Sequence, residues 1–103
     1  MIERSIDMTD ETILTILKTD VPISASATGY DQLLNGCIKL AKKDIKTEGI
    51  TLQDTDEDGM LVEQYAAWIF RKRKENAPMP RQLRYMLNNR LLSQKMEIEE
   101  EEN

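Results

Sequence analysis

The sequence predicts an all-α protein: a small bundle of about four helices with a flexible acidic C-terminal tail. Apolar residues recur at helical spacing in four segments, and Pro or Gly residues stand between these segments. The only piece that alternates as a strand does, Ile50-Thr51-Leu52, is too short to build a sheet. With 103 residues, the chain suits a single helical domain, residues 1–95, followed by a tail, residues 96–103.

The first helix is expected at about residues 10–18. Thr9 can cap its N-terminus, because a threonine hydroxyl accepts a hydrogen bond from a free backbone amide. Val21-Pro22 ends it, since proline cannot continue a helix. The apolar residues that gather on one side of this helix are Ile13, Leu14, Ile16 and Leu17.

The second helix is expected at about residues 29–47. Ser26 or Thr28 can cap it, and Glu48-Gly49 looks like its stop. Lysines cluster towards its C-terminal end, where cations interact favourably with the helix dipole. Its predicted buried stripe consists of Leu33, Leu34, Cys37, Ile38, Ala41 and Ile45.

The stretch DTDEDG, residues 54–59, begins as an EF-hand calcium loop does, with acidic side chains at alternate positions followed by a glycine. An EF-hand also needs a bidentate Glu at its twelfth position, which here falls on Tyr65, and a tyrosine cannot replace that carboxylate. We therefore interpret the stretch as a helix start, where Asp54, Thr55 or Asp56 can accept hydrogen bonds from free backbone amides.

The third helix is expected at about residues 57–75, and it is apolar almost all round. From Met60 to Phe70, only Glu63 and Gln64 are not apolar. A single neighbouring face cannot cover such a helix, so it is either the central helix of the bundle or has one side that another subunit covers. Trp68 is expected to be buried against the second helix.

The fourth helix is expected at about residues 80–95, after the chain break Asn76-Ala77-Pro78-Met79-Pro80. Its inward-facing residues are predicted to be Leu83, Met86, Leu87 and Leu91. The tail that follows, MEIEEEEN, has no apolar period. By itself it should be disordered or only conditionally helical.

Charge divides the chain into three blocks. Residues 1–70 hold six Lys/Arg against 13 Asp/Glu, residues 71–95 hold eight against one, and residues 96–103 hold none against five. The net charge of -5 argues mildly against a dedicated nucleic-acid binder, but it hides a basic segment between two acidic ones. Such a chain suits repeated head-to-tail contacts, which close into rings.

The residue inventory argues against catalysis. The chain contains no His, the commonest general base and metal ligand, and its one cysteine, Cys37, lies in an apolar stripe, so we interpret it as a core residue. Asp56 and Asp58 could hold a metal ion, but acids are ordinary at a helix start and no Gly-rich phosphate loop accompanies them. We expect a non-enzymatic protein without a cofactor or a metal.

Signals for export or membrane insertion are not expected to be present. The N-terminus lacks an apolar signal segment, and the longest uninterrupted apolar run, Tyr65 to Phe70, has six residues. A single cysteine permits no internal disulfide. These features favour a chain made in a reducing cytoplasm, with no membrane partner.

The fourth helix also suggests a DNA-binding function. Its outward face is predicted to carry Arg81, Gln82, Arg84, Tyr85, Asn88 and Asn89. Arg, Gln and Asn are the residues that read base edges from a groove, so a small helical DNA-binding regulator that uses residues 80–95 is the second hypothesis. Against it, two prolines replace the tight turn of a helix-turn-helix, and the Glu-rich tail would compete with phosphate.

The run ITLQDTDEDGMLVEQYAAWIFRKRKENAPMPRQLRYMLNNRLLSQK, residues 50–95, resembles the small head-tail connector proteins of tailed bacteriophages, also called adaptor or head-completion proteins. The resemblance depends on an acidic helix start, a Tyr-Ala-Ala-Trp helix that ends in Arg-Lys-Arg-Lys, then Met-Pro-Arg and a helix containing Leu-Asn-Asn-Arg. The upstream helix, Tyr30 to Lys46, is compatible with it. The resemblance thus covers about two thirds of the chain.

The resemblance implies a structural virion protein at the head-tail interface, made in the host bacterial cytoplasm. All-α protomers would form a dodecameric ring beneath the portal protein, extend the DNA channel without sequence-specific DNA binding, and dock the next connector or tail protein. The residues expected to bind the portal or a neighbouring subunit are Arg71, Lys72, Arg73, Lys74, Arg81, Arg84, Asn88 and Arg90. The expected tail contacts are Glu97, Glu99, Glu100, Glu101 and Glu102.

Overall fold

The computed structural model describes residues 9–21 and 28–102, with side chains up to residue 97. These residues contain four helices. They are α1 Asp10–Asp20, α2 Asp31–Thr47, α3 Asp56–Glu75 and α4 Arg81–Glu102. No strand occurs within these residues, and the predicted all-α class is confirmed. Helix α3 packs against each of the other three helices, and α1 also packs against α2. The apolar third helix, α3, is therefore the central helix of the bundle, which is one of the two arrangements expected from the sequence.

The core lies between the apolar stripes of the helices. α2 buries the stripe predicted from its 3.6-residue period, except that Leu33 is only half-buried. The other buried apolar residues are Ile13, Leu17 and Val21 at α1, Ile50 before α3, Leu61, Val62, Tyr65, Ala66, Ala67 and Ile69 on α3, and Leu83 and Leu87 on α4. Met86 and Leu91 pack against this core from its edge. Cys37 is a core residue as predicted, and burial raises the pKa of its thiol.

Side-chain caps define two of the helix starts. The Thr9 hydroxyl accepts a hydrogen bond from the backbone N–H of Thr12 (3.2 Å), as predicted for α1. The Thr55 hydroxyl accepts one from the N–H of Asp58 (3.2 Å) at the start of α3. The stretch DTDEDG is therefore a helix start, and the acids in its first turn lie near the positive end of the helix dipole.

The start of α2 differs from the prediction. Its N-cap residue is Tyr30, whose side chain makes no capping hydrogen bond. Thr28 contributes only its backbone carbonyl, which accepts a hydrogen bond from the N–H of Asp31 (3.2 Å), and Ser26 lies outside the described residues. The end of α2 is at Glu48-Gly49 as expected, because Gly49 adopts a φ of +104°, a conformation that favours glycine.

Two further features depart from the sequence-based expectation. Trp68 is half-buried rather than buried, since its indole N–H reaches out to donate to the carbonyl of Ala77 (3.0 Å) in the loop before α4. Helix α4 continues to Glu102, whereas the prediction ended it near residue 95. Glu is a good helix former, and neither Pro nor Gly follows residue 90, so the local sequence offers nothing to stop the helix.

Candidate functional site: the charged ends of helices α3 and α4

The last turn of α3 carries four consecutive cations, Arg71, Lys72, Arg73 and Lys74, which we call the basic turn. All four side chains are exposed. The position suits the helix itself, because cations near a helix C-terminus interact favourably with its dipole. The basic turn is therefore favourable for the helix and exposed to solvent, and its expected binding to a partner stays a prediction.

Aromatic rings and a backbone carbonyl hold parts of the basic turn in place. Lys72 Nζ lies 4.2 Å from the centroid of the Trp68 ring, and the Arg73 guanidinium carbon lies 5.2 Å from that of Phe70. Both distances suit cation–π attraction, which is worth about 0.5–1 kcal/mol at exposed sites. The basic turn thus presents partly ordered cations, which lose less entropy on binding than free ones would.

A groove runs beside the basic turn. It has a volume of about 320 Å³ and is lined by Val21, Phe70, Arg71, Lys74 and Glu75, and we call it the basic groove. Arg71 Nη2 donates to the carbonyl of Asp20 (3.1 Å), which connects the end of α3 to the end of α1. The groove combines an apolar floor, from Val21 and Phe70, with charged side chains at its rim.

Arg84 on α4 is held by Glu48, the C-cap residue of α2. Its Nη1 and Nη2 donate to Glu48 Oε1 (3.2 Å) and Oε2 (3.0 Å). This hydrogen bonding raises the pKa of the Arg84 guanidinium and lowers the pKa of the Glu48 carboxyl. Arg84 Nη1 also lies 3.4 Å from Asn88 Oδ1. Arg84 was expected to bind a partner, but the structure engages its guanidinium within the protomer.

Arg90 lies inside the protein rather than on a binding surface. It is 9% exposed and pairs with Asp58, which is 2% exposed, through two donated hydrogen bonds of 2.6 and 3.1 Å. The bonding to Asp58 raises the pKa of Arg90. The expected partner-binding role of Arg90 is therefore corrected to a structural one, because a guanidinium buried in this way does not face a partner.

The rest of the predicted α4 face is exposed. The residues that face solvent are Arg81, Gln82, Tyr85, Asn88 and Asn89. Tyr85 is 59% exposed, which makes it one of the largest apolar surfaces left uncovered in the described chain. Arg81 and Asn88 are thus exposed, whereas the guanidinium groups of Arg84 and Arg90 are paired with carboxylates of the same chain.

The acidic residues expected to make tail contacts lie on the last turns of α4. Met96–Glu102, which we call the acidic end, continues the helix, and Glu97 is exposed. The side chains of Glu99, Glu100, Glu101 and Glu102 lie outside the described residues. Gln94, just before the acidic end, bonds to the loop that follows α2: Nε2 donates to the carbonyl of Gly49 (2.9 Å), and Oε1 accepts from the N–H of Thr51 (2.7 Å).

A buried carboxyl group on α3 was not anticipated from the sequence. The side chain of Glu63 is 0% exposed, and its Oε1 accepts a hydrogen bond from Gln64 Nε2 (2.7 Å), which also donates to Asp20 Oδ2 (3.0 Å). Burial, and after it the nearby carboxyl of Asp20, raise the pKa of Glu63 to about 8. The only sequence signal was that Glu63 interrupts an apolar run. This signal does not tell whether the glutamate is buried or exposed.

Metal binding at DTDEDG finds no geometric support. Both carboxylate oxygens of Asp58 are engaged, since Oδ2 also accepts from the N–H of Gln53 (2.6 Å) in addition to the two bonds from Arg90. Across the described residues, no group of three or more His, Cys, Asp or Glu side chains is placed to hold a metal ion.

Within the part of the chain that the structure describes, no helix combines the length and apolar character needed to cross a membrane.

Comparison with protein-family models, with curated proteins and with solved structures found no match to this chain.

Proposed function

We propose that this protein is a structural component of a tailed-bacteriophage virion, which forms a ring adaptor between the portal and the tail or next connector protein. The observation that carries the proposal is the separation of charge on the protomer. The basic turn lies at one end of the α3–α4 pair, and the acidic end lies at the other. A subunit with two different complementary ends makes head-to-tail contacts, and such contacts close into a ring when the rotation allows it.

The all-α protomer also supports this proposal. Its central helix α3 is covered on several sides by its own chain, yet Met60 remains 37% exposed and Phe70 is only half-buried. Tyr30 is 49% exposed and contacts the Phe70 ring edge-on, with 6.4 Å between the centroids. These aromatic side chains lie next to the basic turn, and aromatic and Arg residues are the types enriched at protein interfaces.

The contact residues in this proposal are Arg71, Lys72, Arg73, Lys74, Arg81 and Asn88 on the basic side, and the glutamates of the acidic end on the other. The partners are the portal protein, the next connector or tail protein, and further copies of the chain in a dodecameric ring. DNA passes through the ring without sequence-specific binding. The protein is made in the host cytoplasm and is found in the virion.

A DNA-binding regulator remains the second candidate, and one observation favours it. Gln82, Asn88 and Asn89 are exposed on one helix, beside Arg81, in the manner of side chains that read base edges. Two other arginines of the same helix are engaged within the protomer, because Arg84 and Arg90 are paired with Glu48 and Asp58. With few cations left on α4, this candidate has the weaker support.

One paired experiment separates the two functions. The purified chain is mixed with the portal protein encoded in the same genome and sedimented near physiological salt, and its binding to duplex DNA is titrated at several salt concentrations. The proposal predicts co-sedimentation with the portal and weak DNA binding. Duplex binding with a steep negative slope of log affinity against log salt, together with a bare portal, would establish the regulator instead.

A matched variant shows whether the basic turn makes the portal contact. Lys72→Glu with Lys74→Glu reverses two exposed cations of this turn, and Lys39→Glu with Lys43→Glu makes the same charge change on the exposed side of α2. The first variant is expected to lose portal binding and the second to keep it. Equal loss in both variants would mean that overall charge, and not the basic turn, drives the association.

A further inference from the structure

The ends of α3 and α4 project in opposite directions from the helix pair. The loop between the two helices runs back along α3, because the Trp68 indole donates to the carbonyl of Ala77. α4 then meets the first turn of α3 through Arg90 and Asp58. The last turn of α3 therefore extends past the start of α4, and α4 extends past the start of α3.

These projecting ends cannot meet within one protomer. About 24 Å of helix separates the basic turn from Asp58, and α4 runs about 18 Å further beyond Arg90, in the opposite direction. The basic turn and the acidic end belong to adjacent charge blocks of the sequence but lie at opposite ends of the α3–α4 pair. An ion pair between them must join two different copies.

The acidic end is a poor terminus for its own helix. Five glutamates lie between residues 97 and 102, and the last turn of α4 contains no basic residue. Carboxylates near a helix C-terminus are repelled by the negative end of the dipole, and like charges four residues apart repel each other. A cationic surface on another molecule offsets both effects.

The basic groove matches the acidic end in character as well as in charge. Its floor is apolar, through Val21 and Phe70, and its rim carries two cations, Arg71 and Lys74, against one carboxylate, Glu75. The acidic end has the sequence MEIEEEE, in which Met96 and Ile98 stand among the glutamates. Met96 is 55% exposed, so it is uncovered in the isolated protomer. An apolar floor between cations suits a helix end that carries both apolar and acidic side chains.

We propose that the basic groove of one copy binds the acidic end of a second copy. This inference specifies the subunit contact of the ring and in that respect rests on the proposed function. The contact is heterologous, since each copy offers its groove to one neighbour and its acidic end to the other. Single surface ion pairs contribute only about 0–1 kcal/mol, but contacts repeated around a closed ring reinforce one another.

Isotope-coded cross-linking tests the contact directly. Equal amounts of unlabelled and nitrogen-15-labelled full-length chain are mixed, and a zero-length carbodiimide joins lysine amines to the carboxylates paired with them. Mass spectrometry is expected to find Lys72 or Lys74 linked to glutamates of the acidic end, in peptides that contain one labelled and one unlabelled partner. Absence of these mixed links, or links to the acidic end only within a single copy, overturns the inference.

Charge reversal adds a quantitative readout. Because Lys72→Glu with Lys74→Glu also removes the amines that the carbodiimide couples, this variant is scored by sedimentation, where self-association is expected to weaken about tenfold. Glu99→Lys with Glu101→Lys should lower self-association equally, and mixing these two variants should restore it. The control Lys39→Glu with Lys43→Glu should stay within about twofold of the unmodified chain. No recovery in the mixed sample contradicts direct pairing.

Deletion of residues 96–103 separates an intermolecular role from a structural one. The melting temperature is expected to stay almost unaltered while the association is lost, and a much lower melting temperature shows that the segment belongs to the protomer's own fold.

Portal binding is scored independently of the cross-links between copies. Portal binding without mixed links overturns this inference alone, whereas mixed links without portal binding overturn the adaptor proposal alone.

Discussion

Asp58 and Arg90 form a bidentate ion pair inside the protein, between the first turn of α3 and the middle of α4. Arg90 Nε donates to Asp58 Oδ1 (2.6 Å), and Arg90 Nη2 donates to Asp58 Oδ2 (3.1 Å). Arg90 Nη2 also donates to the carbonyl of Thr51 (2.9 Å), and Asp58 accepts from the N–H of Gln53. The pair therefore holds together α4, the start of α3 and the loop that connects α2 to α3.

Arg90→Ala is expected to destabilise the protein by about 3–5 kcal/mol, because it leaves the Asp58 carboxylate buried without its charge partner. Asp58→Ala should cost a similar amount, and the double variant should cost clearly less than the two single costs added. Urea unfolding followed by circular dichroism measures all three. Arg81→Ala, an exposed change on the same helix, should stay within about 0.5 kcal/mol of the unmodified chain. Additive single and double costs would show that the two residues act independently.

Thr55→Ala is expected to destabilise the protein by about 1 kcal/mol, because it removes the hydroxyl that accepts from the N–H of Asp58 at the start of α3. Asp54→Ala, one residue earlier and exposed, should cost about 0.5 kcal/mol or less. Thermal unfolding of the two variants under the same conditions gives the comparison. A larger loss of stability for Asp54→Ala than for Thr55→Ala would show that Asp54, and not Thr55, caps α3.

Calcium should leave the melting temperature nearly unchanged at millimolar concentration. The Asp58 oxygens already accept hydrogen bonds from Arg90 and from the N–H of Gln53, and the position of the twelfth EF-hand ligand holds Tyr65. An ion that binds only the folded state stabilises that state by mass action, so a rise in the melting temperature would detect even a weak calcium site. A rise of several degrees that EDTA reverses would contradict the helix-start interpretation of DTDEDG.

The stability should fall as the pH rises from about 5 to about 8 through the titration of Glu63. Because burial and Asp20 raise the pKa of Glu63 to about 8, its neutral form favours the folded state, and this contribution is lost as the pH rises through that value. Glu48, whose pKa Arg84 lowers, titrates below this range. Glu63→Gln should flatten the pH dependence of the unfolding free energy, and the exposed control Glu57→Gln should not. An unchanged slope in Glu63→Gln would show that another group is responsible.

The sequence predicted what local patterns encode. Helical periodicity identified the buried stripe of α2, and Thr55 was among three candidates for the α3 cap. The Asp58–Arg90 pair joins residues 32 positions apart, and no local pattern distinguishes a buried guanidinium from the exposed arginines of the same helix. The burial of Glu63 depends in the same way on how α1 packs against α3. Residue charge could be read from the sequence, but which cations remain exposed depended on tertiary contacts.

Electron microscopy of the purified chain mixed with the portal protein from the same genome tests the adaptor proposal most directly. The expected result is an additional closed ring of density, concentric with the portal, that lengthens its channel. The ring should be absent for Lys72→Glu with Lys74→Glu and present for Lys39→Glu with Lys43→Glu. Portal particles that remain bare at saturating concentrations of the folded, unmodified chain would contradict the proposed function.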